Sequence, residues 1–188
     1  MALTSSTTTL RRGSHSSELT KVLPSTLYLT FNAPEVNDYH RALFISSPSG
    51  SDDPPTNDGT LFHSVYANKT WSFERREVRN LAASKKLVLM YCISALPCGV
   101  GADAVERVLQ GIKLEHRGRE GGNASLGGYS CVLWSFDALQ ALVENGLISL
   151  PPGTGVGNIL QHAREMAGPD DARTMVGQDF GGVRVMNH

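Results

Sequence analysis

From Leu27 to Ile93 the apolar residues fall in short runs separated by turn-forming residues, which is the signature of strands. From Asp103 onward they recur every three or four positions, which is the signature of helices. Five strands are predicted. Leu27-Tyr28-Leu29-Thr30-Phe31 is the first, stopped by Asn32-Ala33-Pro34, and Tyr39-His40-Arg41-Ala42-Leu43-Phe44-Ile45 is the second. Residues 47–59 contain Pro48, Gly50, Pro54, Pro55 and Gly59 and read as a loop. Residues 60–66 and 70–75 form the third and fourth strands. Residues 86–93 form a fifth, so uniformly apolar that both its faces are expected to be buried. Connections too short for helices favour antiparallel pairing among the first four.

Asp103 is placed to cap a first helix, with Val105, Val108, Leu109 and Ile112 on one face. Residues 116–128 are a charged, Gly-rich loop. Ser130 is placed to cap a second helix whose stripe is Val132, Leu133, Phe136, Leu139, Leu142 and Val143, with Gly146 at its C-terminal stop. Pro151-Pro152-Gly153 breaks the chain, and residues 156–167 form a third helix ending at Gly168-Pro169. Strands first and helices later is an α+β order: an antiparallel sheet of four to five strands followed by packed helices, rather than alternating β-α-β units.

The 188 residues suit one domain, read here as residues 25–168. Residues 1–24 are Ser/Thr-rich, with Arg11, Arg12 and Lys21 against Glu18 alone, and read as a disordered tail. A transit peptide has a similar composition, but no clear amphipathic helix is present. Residues 169–188 read as a C-terminal tail. A net charge of −1 argues against a surface that neutralises many phosphates, so nucleic acid is not the expected partner. No apolar run is long enough to anchor the chain in a membrane, and none resembles the core of a signal peptide. Three cysteines, Cys92, Cys98 and Cys131, are not a disulfide framework. A reducing, cytoplasmic setting is expected, and the sequons at Asn68 and Asn123 are then chance matches. No Gly-rich phosphate loop occurs, and no cofactor is expected.

Chemistry, if present, centres on Cys131. It falls in the first turn of the second helix, where unsatisfied N–H groups and the positive end of the helix dipole favour a thiolate and can hold an oxyanion. A free cysteine is equally a small residue that is often buried. A thiol nucleophile needs a base, usually histidine, and the base needs a partner that fixes its tautomer. His40 and His63 lie in the second and third strands. They share a sheet face if the paired residue numbers have an odd total, and a slip of one residue sends them to opposite faces. Two half-exposed strand histidines would be the ordinary alternative. His40, His63 and Cys131 can also supply three zinc ligands, but no close-spaced ligand pair accompanies them.

A strand His in Tyr39-His40-Arg41-Ala42-Leu43-Phe44-Ile45, a second His after Gly59-Thr60-Leu61-Phe62, and a Cys that begins a helix make the order His, His, Cys. Over residues 27–146 this resembles the circularly permuted branch of the NlpC/P60 papain-like superfamily, which includes the lecithin:retinol acyltransferase-like proteins. It looks closest to small, largely uncharacterised fungal proteins of that type. The resemblance implies a permuted papain-like fold with Cys131 as nucleophile, His40 as general base and His63 as the orienting third member. It also implies a thioester intermediate passed to water, an amine or another acceptor. The chain departs from the acyltransferase pattern: Ser130-Cys131-Val132-Leu133-Trp134 stands where those relatives carry Asn-Cys-Glu-His-Phe, which puts their lipid substrates in doubt.

Other residues offer less. Trp134 either walls the site or sits in the core, Tyr28 either reaches the site or sits in the core, and Asp137 either orients a neighbour or is solvated. Arg41 alternates away from His40 and is expected to be solvated or paired. Cys92 should be inert in the buried fifth strand, and Cys98 lies in a loop where it is either reactive or ordinary, with no activating neighbour in sequence. Three functions follow. One is a cysteine-dependent hydrolase or acyltransferase acting on an amide, ester or thioester of a small-molecule or peptide substrate. Another is a catalytically inactive binding or scaffold domain of the same shape. The third is an acyl or aminoacyl transferase in a biosynthetic pathway. The enzyme needs the Cys131 sulfur within reach of a His40 ring nitrogen, with His63 behind it; the binding domain does not.

Overall fold

Strand pairing turns the alternating segments into a sheet with two different faces. The computed structural model describes residues 22–33, 39–48, 57–84, 86–115, 128–168 and 184–186. The strands are β1 (Thr26–Asn32), β2 (His40–Ser46), β3 (Gly59–Ala67), β4 (Thr70–Val78), β5 (Leu87–Ala95) and β6 (Arg184–Met186), and the helices are α1 (Ala102–Leu109), α2 (Cys131–Glu144) and α3 (Val156–Ala167). Their order in the sheet is β4-β3-β2-β1-β5-β6. The first five pair antiparallel and β6 adds parallel to β5. The arrangement is α+β, as the order of periodicities predicts.

Alternation along each strand assigns the faces. Leu27, Leu29 and Phe31 of β1, with Leu43 and Ile45 of β2, meet Leu133, Trp134, Leu139 and Leu142 of α2 and Ile159, Leu160 and Ala163 of α3 in the main core. Tyr28 and Phe44 point the other way, into a smaller cluster with Val22, Leu81, Met90, Cys92 and Val185. β5 serves both clusters, which is why its sequence is apolar without alternation. Trp134 and Tyr28 are therefore core residues and Cys92 is buried. The Tyr28 hydroxyl accepts the Leu23 N–H at 2.7 Å, and burial pushes its pKa up to about 12.

Three expectations need correction. The first helix is capped by Gly101, not Asp103; the Asp103 carboxylate sits in the first turn and accepts from Arg75 Nη1 at 2.8 Å, joining β4 to α1. Of the two expectations for Arg41, solvated or paired, burial removes the first: its guanidinium lies 5.4 Å from the Phe31 ring centroid. The folded unit also exceeds 25–168: Val22 is buried in the smaller cluster, and Arg184–Met186 pairs with Leu89, Met90 and Tyr91. The predicted tails at 1–21, 169–183 and 187–188, residues 49–56 of the first loop and residues 116–127 of the second lie outside the described residues.

Candidate active site

β2 and β3 pair with Leu43 opposite Phe62 and Phe44 opposite Leu61, an odd total, so His40 and His63 share a face. This is the face opposite the helices, because Tyr39 and Arg41, on either side of His40, belong to the helix side: Arg41 stacks on Phe31, and the Tyr39 hydroxyl donates to the Ala167 carbonyl of α3. His40 Nε2 lies 2.9 Å from His63 Nδ1.

A third member follows from the next hairpin. Asn68 and Lys69 both have positive φ (52° and 63°), the conformation of a two-residue type I′ turn, and this turn sets Ala67 opposite Thr70. Counting back along the ladder puts His63 directly opposite Glu74. His63 Nε2 lies 3.2 Å from Glu74 Oε2, an ion-pair distance. Glu74 Oε1 accepts from Arg76 Nε at 2.8 Å. Sequence reasoning missed Glu74, although the Asn68-Lys69 turn was the signal that could have found it. Those residues read there only as part of a sequon.

The carboxylate fixes the protons. Glu74 accepts only, so it favours the tautomer with a proton on His63 Nε2. His63 Nδ1 is then an acceptor and must receive its proton from His40 Nε2. This leaves the lone pair of His40 on Nδ1, the nitrogen of a base. Both rings are held neutral. His40 is pushed down to about 4, first by burial and then by His63; His63 is lowered chiefly by burial, with Glu74 opposing.

Cys131 opens α2 as predicted. Ser130 is extended and its hydroxyl accepts the Leu133 N–H at 3.2 Å, which starts the helix. Tyr129, buried, packs edge-on against Trp71 of β4 at 5.5 Å between ring centroids and pins the approach to α2. The half-buried Cys131 thiol donates to the Tyr39 carbonyl at 3.8 Å, one peptide unit from His40. Among the described residues no hydrogen bond joins Cys131 to His40, whose bond goes to His63. The structure thus brings His40 and His63 together with Glu74, and brings Cys131 to the backbone beside His40. A crevice of about 390 Å³ flanks the first turn of α2, walled by Val132, Leu133, Phe136 and Leu160 with Arg41 and Arg164 among its lining. Among the described residues no group of three or more His, Cys, Asp or Glu side chains is arranged to hold a metal ion. No helix there is long and apolar enough to cross a membrane.

The model of a family of unknown function, DUF6540, matches residues 27–149, from β1 to just beyond α2. No curated protein and no solved structure matches the chain.

Proposed function

The chain belongs to the DUF6540 family of unknown function, which carries no assigned reaction, and we propose from the site itself that the protein is a cysteine-dependent hydrolase or acyltransferase. The observation that carries this reading is the ordered contact His40–His63–Glu74, which leaves a lone pair on His40 Nδ1 beside the backbone that the Cys131 thiol touches. The permuted papain-like resemblance, with Cys131, His40 and His63 in the roles it implies, is part of the same proposal.

In the resting state both rings are neutral and the Cys131 sulfur lies against the Tyr39 carbonyl. When substrate binds, the sulfur exchanges the Tyr39 carbonyl for His40 Nδ1. Catalytic hydrogen bonds of this kind are often long in the free enzyme and tighten with substrate. His40 takes the thiol proton as sulfur bonds to the carbonyl carbon of an amide, ester or thioester, and the first-turn N–H groups of α2 receive the oxyanion. Collapse breaks the bond to the leaving group, which takes the proton from His40. Water or an amine then attacks the thioester, gives its proton to His40, and the thiol is restored by return of that proton. The apolar crevice beside α2 accommodates the acyl portion.

Alkylation by iodoacetamide, followed by peptide mass spectrometry, tests the pair. Cys98 is exposed and serves as an internal reference. At neutral pH Cys131 is expected to react faster than Cys98, and His40→Ala is expected to bring it to the Cys98 rate or below. Equal pH profiles for the two cysteines, unchanged by His40→Ala, would remove the basis for the enzyme.

One observation favours a second reading, a binding or scaffold domain without catalysis. The His40 side chain leaves the strand on the face away from α2, and the Cys131 thiol is engaged by a main-chain carbonyl. That reading expects the alkylation result that overturns the first. An acyl or aminoacyl transferase differs from the hydrolase only in the acceptor, and is identified by trapping the acyl-enzyme with an added amine.

A further inference from the structure

The sheet face opposite the helices is only partly covered. The connection from β4 to β5 folds across it through a 3-10 turn at Leu81–Ala83, fixed where the Asn80 N–H meets Asp58 Oδ1 at 2.7 Å and the Leu81 N–H meets the Asn57 carbonyl at 2.9 Å. Between this connection and the ends of β2, β3 and β4 lies a cleft of about 740 Å³, within the range of small-molecule sites. Its lining is of two kinds. Leu61, Val78 and Leu81 supply an apolar wall, and Arg76, Arg79 and Lys86 supply positive charge. His40 and His63 also line it.

Glu74 is shared between Arg76 and His63. Among the described residues Arg79 forms no ion pair with a carboxylate. Arg76, Arg79 and Lys86 thus stand together along the lining of this one cleft.

We infer that this cleft binds a small organic anion, its phosphoryl or carboxylate group held by Arg76, Arg79 and Lys86 and its apolar body laid against Leu61, Val78 and Leu81. Arginine suits this task because its planar fork pairs with either group through two parallel hydrogen bonds. The inference does not rest on the chemistry at Cys131.

Calorimetric titration of the full chain with 1-naphthyl phosphate, 1-naphthoate and the neutral 1-naphthol separates charge from apolar contact. At least one anion is expected to bind, with 1-naphthol weaker by about tenfold or more, since a hydrogen bond to a charged group is worth roughly that factor. The tighter of the two anions identifies the group recognised. Arg79 and Lys86 are both exposed, so the Arg79→Gln/Lys86→Gln variant should fold as the wild type does, shown by an unchanged melting temperature, and should lose about tenfold in affinity for the anion. Cys131→Ser should bind like the wild type. Equal binding of naphthol and the anions, unchanged affinity in the double variant, or no binding of either anion at millimolar concentration would each overturn the inference.

Discussion

His40 is stored as a neutral ring. Its folded value is about 4, against an ordinary value near 6.5 in an unfolded chain. Between these two values the unfolded state binds the extra proton and the folded state does not. Stability is therefore full above about pH 6.5 and falls as the pH drops toward 4, by on the order of 3 kcal/mol. The lowered value of His63 acts in the same direction. Urea midpoints measured across this interval should show the slope in the wild type and a shallower one in His40→Gln; equal slopes would assign the effect elsewhere. At this scale the sequence was informative where residue type and local position suffice. A cysteine after a capping serine and two strand histidines can be named from their neighbours alone. Glu74 could not be singled out among eighteen acidic residues, because its importance comes from the partner across the ladder. For Arg41, expected to be solvated or paired, the choice between the two was out of reach for a related reason. Its alternation was read correctly, but the face it enters is covered by α2 and α3, and sequence alternation does not say which face the helices choose.

Elements were legible when their ends carry a chemical signal. α3 begins and ends where Pro151-Pro152-Gly153 and Gly168-Pro169 predict, and Gly146, at φ 68°, ends the run of α2 while the Leu147 N–H reaches back to the Leu142 carbonyl. α1 lacks such a signal: Gly101 starts it without a side-chain cap, and Asp103 has a better partner in Arg75. β6 was illegible because it is three residues long and owes its existence to the edge of β5. The Ser130 cap is the local device that places Cys131. Ser130→Ala should cost about 1 kcal/mol in denaturant unfolding, whereas Ser130→Asp, which restores an acceptor, should recover most of it. An unchanged midpoint in Ser130→Ala would mean that Tyr129 packing alone holds the helix start.

The molecule as a whole is a sheet with unequal sides. Helices cover one side continuously, and the other carries a small apolar cluster next to a charged cleft. The cluster borrows Val22 and Val185 from segments far apart in sequence, so the second face depends on both. Val185→Asp would bury a carboxylate there and free the edge of β5. A loss of about 3 kcal/mol is expected, with concentration-dependent light scattering as exposed edges associate. A melt unchanged from the wild type would show that β6 contributes nothing to the fold. The α+β class was readable from the switch in periodicity at about residue 100. The division of labour between faces was not, since it depends on which side of one sheet three helices cover.

The contact among His40, His63 and Glu74 lies wholly within one meander, β2 to β4, whose strands pair with their sequence neighbours. A growing chain therefore finishes these three residues well before Cys131 is made. At about 5–20 residues per second the interval lasts several seconds, long compared with the microseconds a hairpin needs to form. The base relay can thus be assembled on the ribosome while the thiol it is proposed to serve does not yet exist.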